Sequence, residues 1–292
     1  MGLLNPPPNR FTAIYSNCLT TRPGTSYGAA LTPGNNTYPA FVDLMGGVTP
    51  YDTYWLDIIV HGVGVSATEK DALLKIGFDY AGGTTYTDNS IDHLLVSCAS
   101  NASNTGVMGA RYSFPIYIPA GTRVGGTMSV NNATVGSARV AIKLHGKPTR
   151  PESVRAGSYV DTFGAVTASS RGTLITPGTT SEGTWTLLKT GVDRPYWWWE
   201  LGFGCNDTTM TGGNTYSADI GVGTSTSAVD SILEDMLFCV LNTSEMMGHS
   251  LLASHEYVAS IPQNAGLNVY GRLQCSGTSD SSTSLAVYAL GG

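Results

Sequence analysis

Charge is scarce in this chain. Asp, Glu, Lys and Arg together make up 12% of its 292 residues, about half the ~25% of an ordinary globular domain. Fifteen are basic and 21 acidic, with no Lys/Arg run anywhere. Holding a phosphate backbone needs a basic stripe, so nucleic acid is excluded as a partner class. Long apolar runs are missing too. Nothing approaches the ~20 residues that cross a bilayer, and no membrane role is expected. The opening MGLLNPPPNR has neither a basic start nor a continuous apolar stretch, so it does not read as a signal peptide. Pro6 departs from the myristoylation pattern. Cysteine is sparse and scattered at Cys18, Cys98, Cys205, Cys239 and Cys275. An odd count without a CxxC pair is neither a disulfide framework nor a structural zinc site. These read as small apolar residues of a reducing compartment.

Catalytic signatures are equally thin. There is no GxSxG, HExxH, P-loop or GxGxxG. The nearest histidines, His249 and His255, sit six residues apart. Glu234 and Asp235 are adjacent, as are Asp92 and His93, and neighbours in a strand point to opposite faces. The run 206-NDTTMTGGN-214 offers oxygen ligands but no second carboxylate for calcium. We therefore expect no catalytic residues, no cofactor and no metal. Five Asn-x-Ser/Thr sequons, at Asn35, Asn101, Asn132, Asn206 and Asn242, follow from the Asn- and Thr-rich composition.

What the chain does have is 41% apolar residues amid Gly, Ser, Thr and Asn. That is the composition of a turn-rich β protein, since β-branched and aromatic residues suit strands and Gly and Asn suit tight turns. Short alternating runs recur, such as 53-TYWLDIIV-60, 112-YSFPIYI-118, 138-ARVAIKL-144, 197-WWWELGFG-204 and 285-LAVYAL-290. The stretch 66-SATEKDALLK-75 reads as a capped helical turn or the lead-in to a strand at 73-LLKIGFDY-80.

The order of these segments repeats. 31-LTPG-34 matches 175-ITPG-178, Trp55 matches Trp199, and Ile76-Gly77 matches Ile220-Gly221, all at offset 144. 90-SIDHLLVSCASNAS-103 matches 231-SILEDMLFCVLNTS-244 at offset 141, and 141-AIKLHG-146 matches 286-AVYALG-291 at offset 145. We expect an all-β chain of two tandem, homologous antiparallel β-sandwich (jelly-roll-like) domains. The first covers 23–148 and the second 157–292, joined by a Pro-rich, charged linker at 149–156 and preceded by an extended N-terminal arm over 1–22.

Three consecutive tryptophans stand out. Strict alternation puts Trp197, Trp199, Leu201 and Phe203 on one apolar face and Trp198 with Glu200, Gly202 and Gly204 on the other. Trp199, matched by Trp55, is expected in the core. Trp198 is expected at a contact with a partner subunit or the other copy, with a sugar as the alternative. Tyr54, its counterpart at offset 144, is the second candidate. Pro6, Pro7 and Pro8 form a stiff extended segment suited to docking on a neighbour.

The most distinctive stretch is 113-SFPIYIPAGTRVGG-126. Phe114, Ile116 and Ile118 alternate as a buried row, Pro115 and Pro119 confine it to an edge or bulge, and Ala120-Gly121 turns the chain. With the preceding KIGF segment and the closing RVAIKLHG strand, it resembles proteins encoded among the virion genes of tailed bacteriophages. The second copy, 258-VASIPQNAGLNVYG-271, lacks the Phe-Pro pair and the Arg and inserts Gln263-Asn264. The resemblance implies a non-enzymatic virion component with jelly-roll-like domains, assembled in the bacterial host cytoplasm. A head decoration (cement) protein or a tail component is expected. Its partners would be itself, as a symmetric homo-oligomer and first of all a trimer, and virion proteins such as the major capsid protein or tail proteins. The alternative is a carbohydrate-binding, receptor-recognition protein whose partner is a host glycan. A glycan-cleaving enzyme would need two facing carboxylates, and nothing points to them.

Overall fold

The structure is a computed structural model that describes residues 13–17, 28–64, 71–97, 109–130, 137–147, 156–165, 167–205, 214–240, 250–251, 257–261, 266–277 and 283–292. Among the described residues every regular element is a strand. The first half runs β1 (Ile14–Ser16), β2 (Ala29–Leu31), β3 (Gly34–Asn35), β4 (Val42–Asp43), β5 (Trp55–Gly64), β6 (Asp71–Asp79), β7 (Asp88–Ser97), β8 (Gly109–Phe114), β9 (Arg123–Val130) and β10 (Ser137–His145). The second runs β11 (Tyr159–Phe163), β12 (Thr173–Leu174), β13 (Thr186–Lys189), β14 (Tyr196–Cys205), β15 (Asn214–Ser225), β16 (Ala228–Val240), β17 (Ser250–Leu251), β18 (Tyr257–Ile261), β19 (Asn268–Cys275) and β20 (Thr283–Gly291).

Each half is a pair of sheets. The first half has β1-β10-β5-β8, with β2 also on β10, and β3-β9-β6-β7, with β4 also on β9. The second has β11-β20-β14-β18, with β12 on β20, and β13-β19-β15-β16-β17. The ladders are antiparallel apart from the short β3–β9 pairing. The two plans coincide down to the register. Ile76 lies opposite Gly126 in the first half, and Ile220 opposite Gly271 in the second. Gly28 and Gly172 take the same place with φ of 104° and 92°. A Cβ there would sit 2.5 Å from the carbonyl oxygen of Val140 or 2.9 Å from that of Leu285, so only glycine fits.

The alternation of apolar residues decides which faces meet. In the first half Leu56, Ile58 and Val60 pair with Leu144, Ile142 and Val140, all buried, and close over Leu74, Ile76 and Phe78. In the second, Trp199, Leu201 and Phe203 pair with Ala289, Val287 and Leu285 and face Tyr216, Ile220 and Phe238. The Phe203 ring stacks on Phe238 at 5.1 Å. Each such large side chain contributes about 1.5–3 kcal/mol by leaving water.

Several expectations shift. Of the two readings of 66–75, the lead-in to a strand holds from Asp71 onward, and residues 65–70 lie outside those described. The N-terminal segment is not a free arm throughout. Ile14–Ser16 pairs with Lys143–His145, and Asn17 ties to Leu44, Val140 and Ile142 through its side-chain amide. Matching the halves by strand pairing also moves two alignments. Leu56 and Trp199 hold equivalent core positions, so Trp55 corresponds to Trp198, not Trp199. Ile76 faces Ile91 and Ile220 faces Leu233, so His93 corresponds to Asp235. Both sit at a register shift with φ near +57°, at 59° and 55°. One extra residue there bends the strand and re-aims its neighbours.

Candidate functional site: the seam between the two halves

The chemically dense part of the described structure is where the halves meet. The outer face of the second half's β11-β20-β14 sheet lies against the β7 and β8 side of the first half. One apolar cluster runs from the first core across this seam to Val160, Trp197, Trp198, Ala286, Tyr288 and Leu290.

The local cause is a bulge. The β14–β20 register shifts between Tyr196 and Trp198, leaving Trp197 as the extra residue. Tyr196 stays with the second core, whereas Trp197 and Trp198 both turn to the seam. The expected placement of Trp197 with Trp199, Leu201 and Phe203 is thereby corrected, because a single inserted residue inverts the alternation. Trp55 is corrected too. It is half-buried at the seam and meets Trp198 edge-on, with ring centroids 5.4 Å apart and planes at 79°.

Trp198 is 7% exposed. Its Nε1–H donates to the Ser113 carbonyl at 3.0 Å and lies 3.3 Å from Glu200 Oε1, which also accepts the Ser113 N–H at 3.3 Å. Its contact is therefore with the other half, and a ring so enclosed presents no platform to a sugar. Ser113 passes the link on, its hydroxyl donating to Asp57 Oδ1 at 2.5 Å. Trp55 Nε1–H reaches the same oxygen at 3.2 Å, and His145 Nε2 lies 2.9 Å from Oδ2. Burial alone would raise the Asp57 carboxyl. The bonds from His145, Ser113 and Trp55 and the nearby Arg111 guanidinium outweigh it and hold Asp57 well below the usual carboxylate range. Serine, histidine and aspartate meet here, but the carboxylate sits between the other two. A nucleophile relay needs the imidazole in that middle place. The arrangement is chemically an acceptor hub that locks strands together.

A second knot lies along β7. Tyr288 O–H donates to the His93 carbonyl at 2.9 Å and accepts the Leu95 N–H at 2.7 Å, so one phenol closes the bulge from the far half. Tyr112 O–H donates to the Leu95 carbonyl at 2.5 Å and Thr162 Oγ1–H to that of Asp92 at 2.5 Å. The His93 ring meets the Tyr38 hydroxyl at 2.8 Å. Burial pulls the imidazole below its ordinary value; Asp92 opposes this, while Lys75 and Arg171 add to it. Gly202 is what lets the halves approach. A Cβ there would sit 2.7 Å from Tyr288 Oη and 3.0 Å from Leu95 Cβ. At the lower end Gly157 N–H donates to the Pro115 carbonyl at 2.7 Å, and Tyr117 N–H to the Gly157 carbonyl at 2.8 Å. The FPIYI segment is thus held by the first residues of the second half, with Phe114, Ile116 and Ile118 fully buried.

The other expected contacts fall elsewhere. Tyr54 is half-buried, its ring 5.4 Å from that of Tyr117, which is 37% exposed. Asp52 lies beside them and accepts the Ala120 N–H at 2.8 Å. Pro6, Pro7 and Pro8 lie outside the described residues, as do His249, His255 and 206–213. Among the described residues no three His, Cys, Asp or Glu side chains converge as metal ligands would. No helix among them is long and apolar enough to cross a membrane. The seam hub itself went unread in the sequence. Its signal was the pairing of Trp with an acid two residues on, Trp55–Asp57 and Trp198–Glu200, in both halves.

No family model matches the chain, and no curated protein does. Among solved structures it is similar to PNGF-II, with a TM-score of 0.37 and 8% identity over 90% of this chain, and it spans 65% of that chain's length. It is also similar to a protein of the naturally empty top component of cowpea mosaic virus, with a TM-score of 0.30, 6% identity and coverage of 90% and 88%. PNGase F, a glycosylasparaginase from Flavobacterium meningosepticum, gives 0.32 and 9% identity, with coverage of 90% and 96%. Likeness at this level says nothing about what the chain does.

Proposed function

We propose that the chain is a non-enzymatic structural component of a bacteriophage particle, a head decoration (cement) or tail-associated protein that stabilises the particle through contacts with itself and other virion proteins. The observation that carries this reading is the seam. Groups that could do chemistry are spent on structure: Glu200 accepts the Ser113 N–H across the seam, and Asp57, held by His145, braces the Ser113 hydroxyl from within the first half. A stiff block with few surface charges can brace neighbours at little desolvation cost. The resemblance of 113-SFPIYIPAGTRVGG-126 to phage virion proteins supports the same reading. The test is mass spectrometry of density-purified particles from an infected culture, with particles lacking the chain heated beside complete ones. The chain should co-purify in stoichiometric amount, and adding it back should restore heat resistance. Its absence from particles refutes the proposal.

A second reading has one observation behind it. The Tyr54–Tyr117 pair with Asp52 alongside sets an exposed ring next to a carboxylate, a combination that suits a sugar's C–H face and hydroxyls. A glycan array probed with wild type and Tyr117→Ala decides it. Binding that disappears in the variant favours receptor recognition.

A further inference from the structure

We infer that the chain associates head to tail, the outer face of the first half's β1-β10-β5-β8 sheet in one copy docking on the β16 side of the second half in the next. This rests on the self-association proposed above, but not on where the protein works.

The seam within the chain joins unlike surfaces. The first half contributes its side, β7 and β8, and the second contributes a sheet face, β11-β20-β14. Because both halves share one plan, each used surface has a counterpart, and among the described residues those counterparts are only partly occupied: on the first sheet Trp55, Asp57, Ser113 and His145 belong to the seam hub, whereas Arg139 and Lys143 lie beyond it. The side of the second half is the counterpart of the side already occupied in the first. Leu95 stands two residues after the positive-φ His93, and Leu237 two residues after the positive-φ Asp235. Leu95 is 3% exposed beneath the second half, whereas Leu237 is 47% exposed. Leu237 thus offers a second copy the contact that Leu95 makes within the chain.

The two surfaces also carry opposite charge. The face of the first half presents Arg139 and Lys143 on β10, Arg111 on β8 and His61 on β5. The Arg111 side chain is 62% exposed but pairs with the buried Asp57 carboxylate at 3.5 Å, so Arg139 and Lys143 carry the net positive charge of that face. The β16 side presents Asp230, Glu234 and Asp235, all exposed, on a strand without a basic residue. That side is held firm from behind. Buried Asp219 accepts the Asp235 N–H at 2.8 Å and Arg272 Nε–H at 2.8 Å, and the Arg272 guanidinium lies 4.3 Å from the centre of the Trp185 ring. Complementary potentials on rigid surfaces orient an encounter and set its register. A contact between unlike surfaces of identical chains closes into a ring or extends into a filament, according to the rotation it imposes.

The test is light scattering on the size-fractionated full chain across a concentration series, at roughly 50 mM and 500 mM salt, where screening differs strongly. Wild type should associate at low salt and weaken at high salt. Glu234→Lys, Leu237→Ser and Lys143→Glu should each weaken association roughly tenfold or more while circular dichroism melts stay unchanged. Mixing Glu234→Lys with Lys143→Glu should restore a mixed pair, because the altered face of one copy again meets an opposite charge. Wild type that stays monomeric throughout overturns both this contact and self-association. Association that survives all three changes, or a mixture that fails to pair, overturns this contact alone.

Discussion

Replacing Trp198 with alanine tests whether the seam holds the molecule together. The indole is 7% exposed, crosses Trp55 at 5.4 Å and donates to the Ser113 carbonyl at 3.0 Å. Truncating a buried tryptophan costs about 3–5 kcal/mol. Of that, the edge-on ring contact accounts for about 0.5–1.5 kcal/mol and the lost donor for about 1 kcal/mol. Unfolding entropy near the melting point is about 2.1 cal/mol/K per residue, or roughly 0.6 kcal/mol/K for this chain. A loss of ~4 kcal/mol then lowers Tm by roughly 6–7 °C if both halves melt together. Scanning calorimetry should show that drop in Trp198→Ala. It should show less than half of it in Trp198→Phe, which keeps a ring and loses the N–H. Leu174→Ala, at a site 66% exposed, should move Tm by less than ~1 °C. Trp198→Ala melting together with Leu174→Ala would refute the reasoning.

Other outcomes follow from the same geometry. Gly202→Val should cost more than about 2 kcal/mol in urea unfolding, because its branches would meet Tyr288 and Leu95 across the seam. Asp57 titrates lower in the folded chain than in the unfolded one. Its contribution is therefore complete above the unfolded carboxylate value of about 4 and is lost as pH falls toward the folded value. Asp57→Asn should be less stable than wild type at about pH 7, with the gap shrinking in urea midpoints measured at about pH 3. The His93 imidazole is also depressed, by burial first. Neutral His93 thus supports the fold above about pH 6.5 and less so below it. His93→Asn keeps a residue tolerant of positive φ and should flatten the loss of stability between about pH 7 and pH 5.5 in the same titration.

Much of the layering was legible because strand alternation leaves a plain mark. The buried row Phe114, Ile116, Ile118 and the repeated order of segments both reappear in the structure. In the tryptophan run the faces of Trp198 and Trp199 were legible, and that of Trp197 was not. Alternation has period two, so the one extra residue at Trp197 reverses every later assignment relative to those before it, and no local residue type announces the bulge. Identity was a poor guide for the same reason. Trp55 matches Trp199 by letter and distance, yet strand pairing makes Trp198 its counterpart. A carboxylate on a strand face signals solvent only when nothing covers it, and at Glu200 the other half does, leaving it 3% exposed. The short β1 pairing escaped notice because three residues of strand carry too little pattern to read.

The crossed pair of Trp55 and Trp198 gives the molecule a spectroscopic handle on its own interior. Two indoles 5.4 Å apart with planes at 79°, one from each half, form a chiral couple whose excited states mix. Near-ultraviolet circular dichroism would follow that coupling, which vanishes once the rings separate. Parting of the halves could then be timed by light, without an added label, and distinguished from the melting of either sandwich.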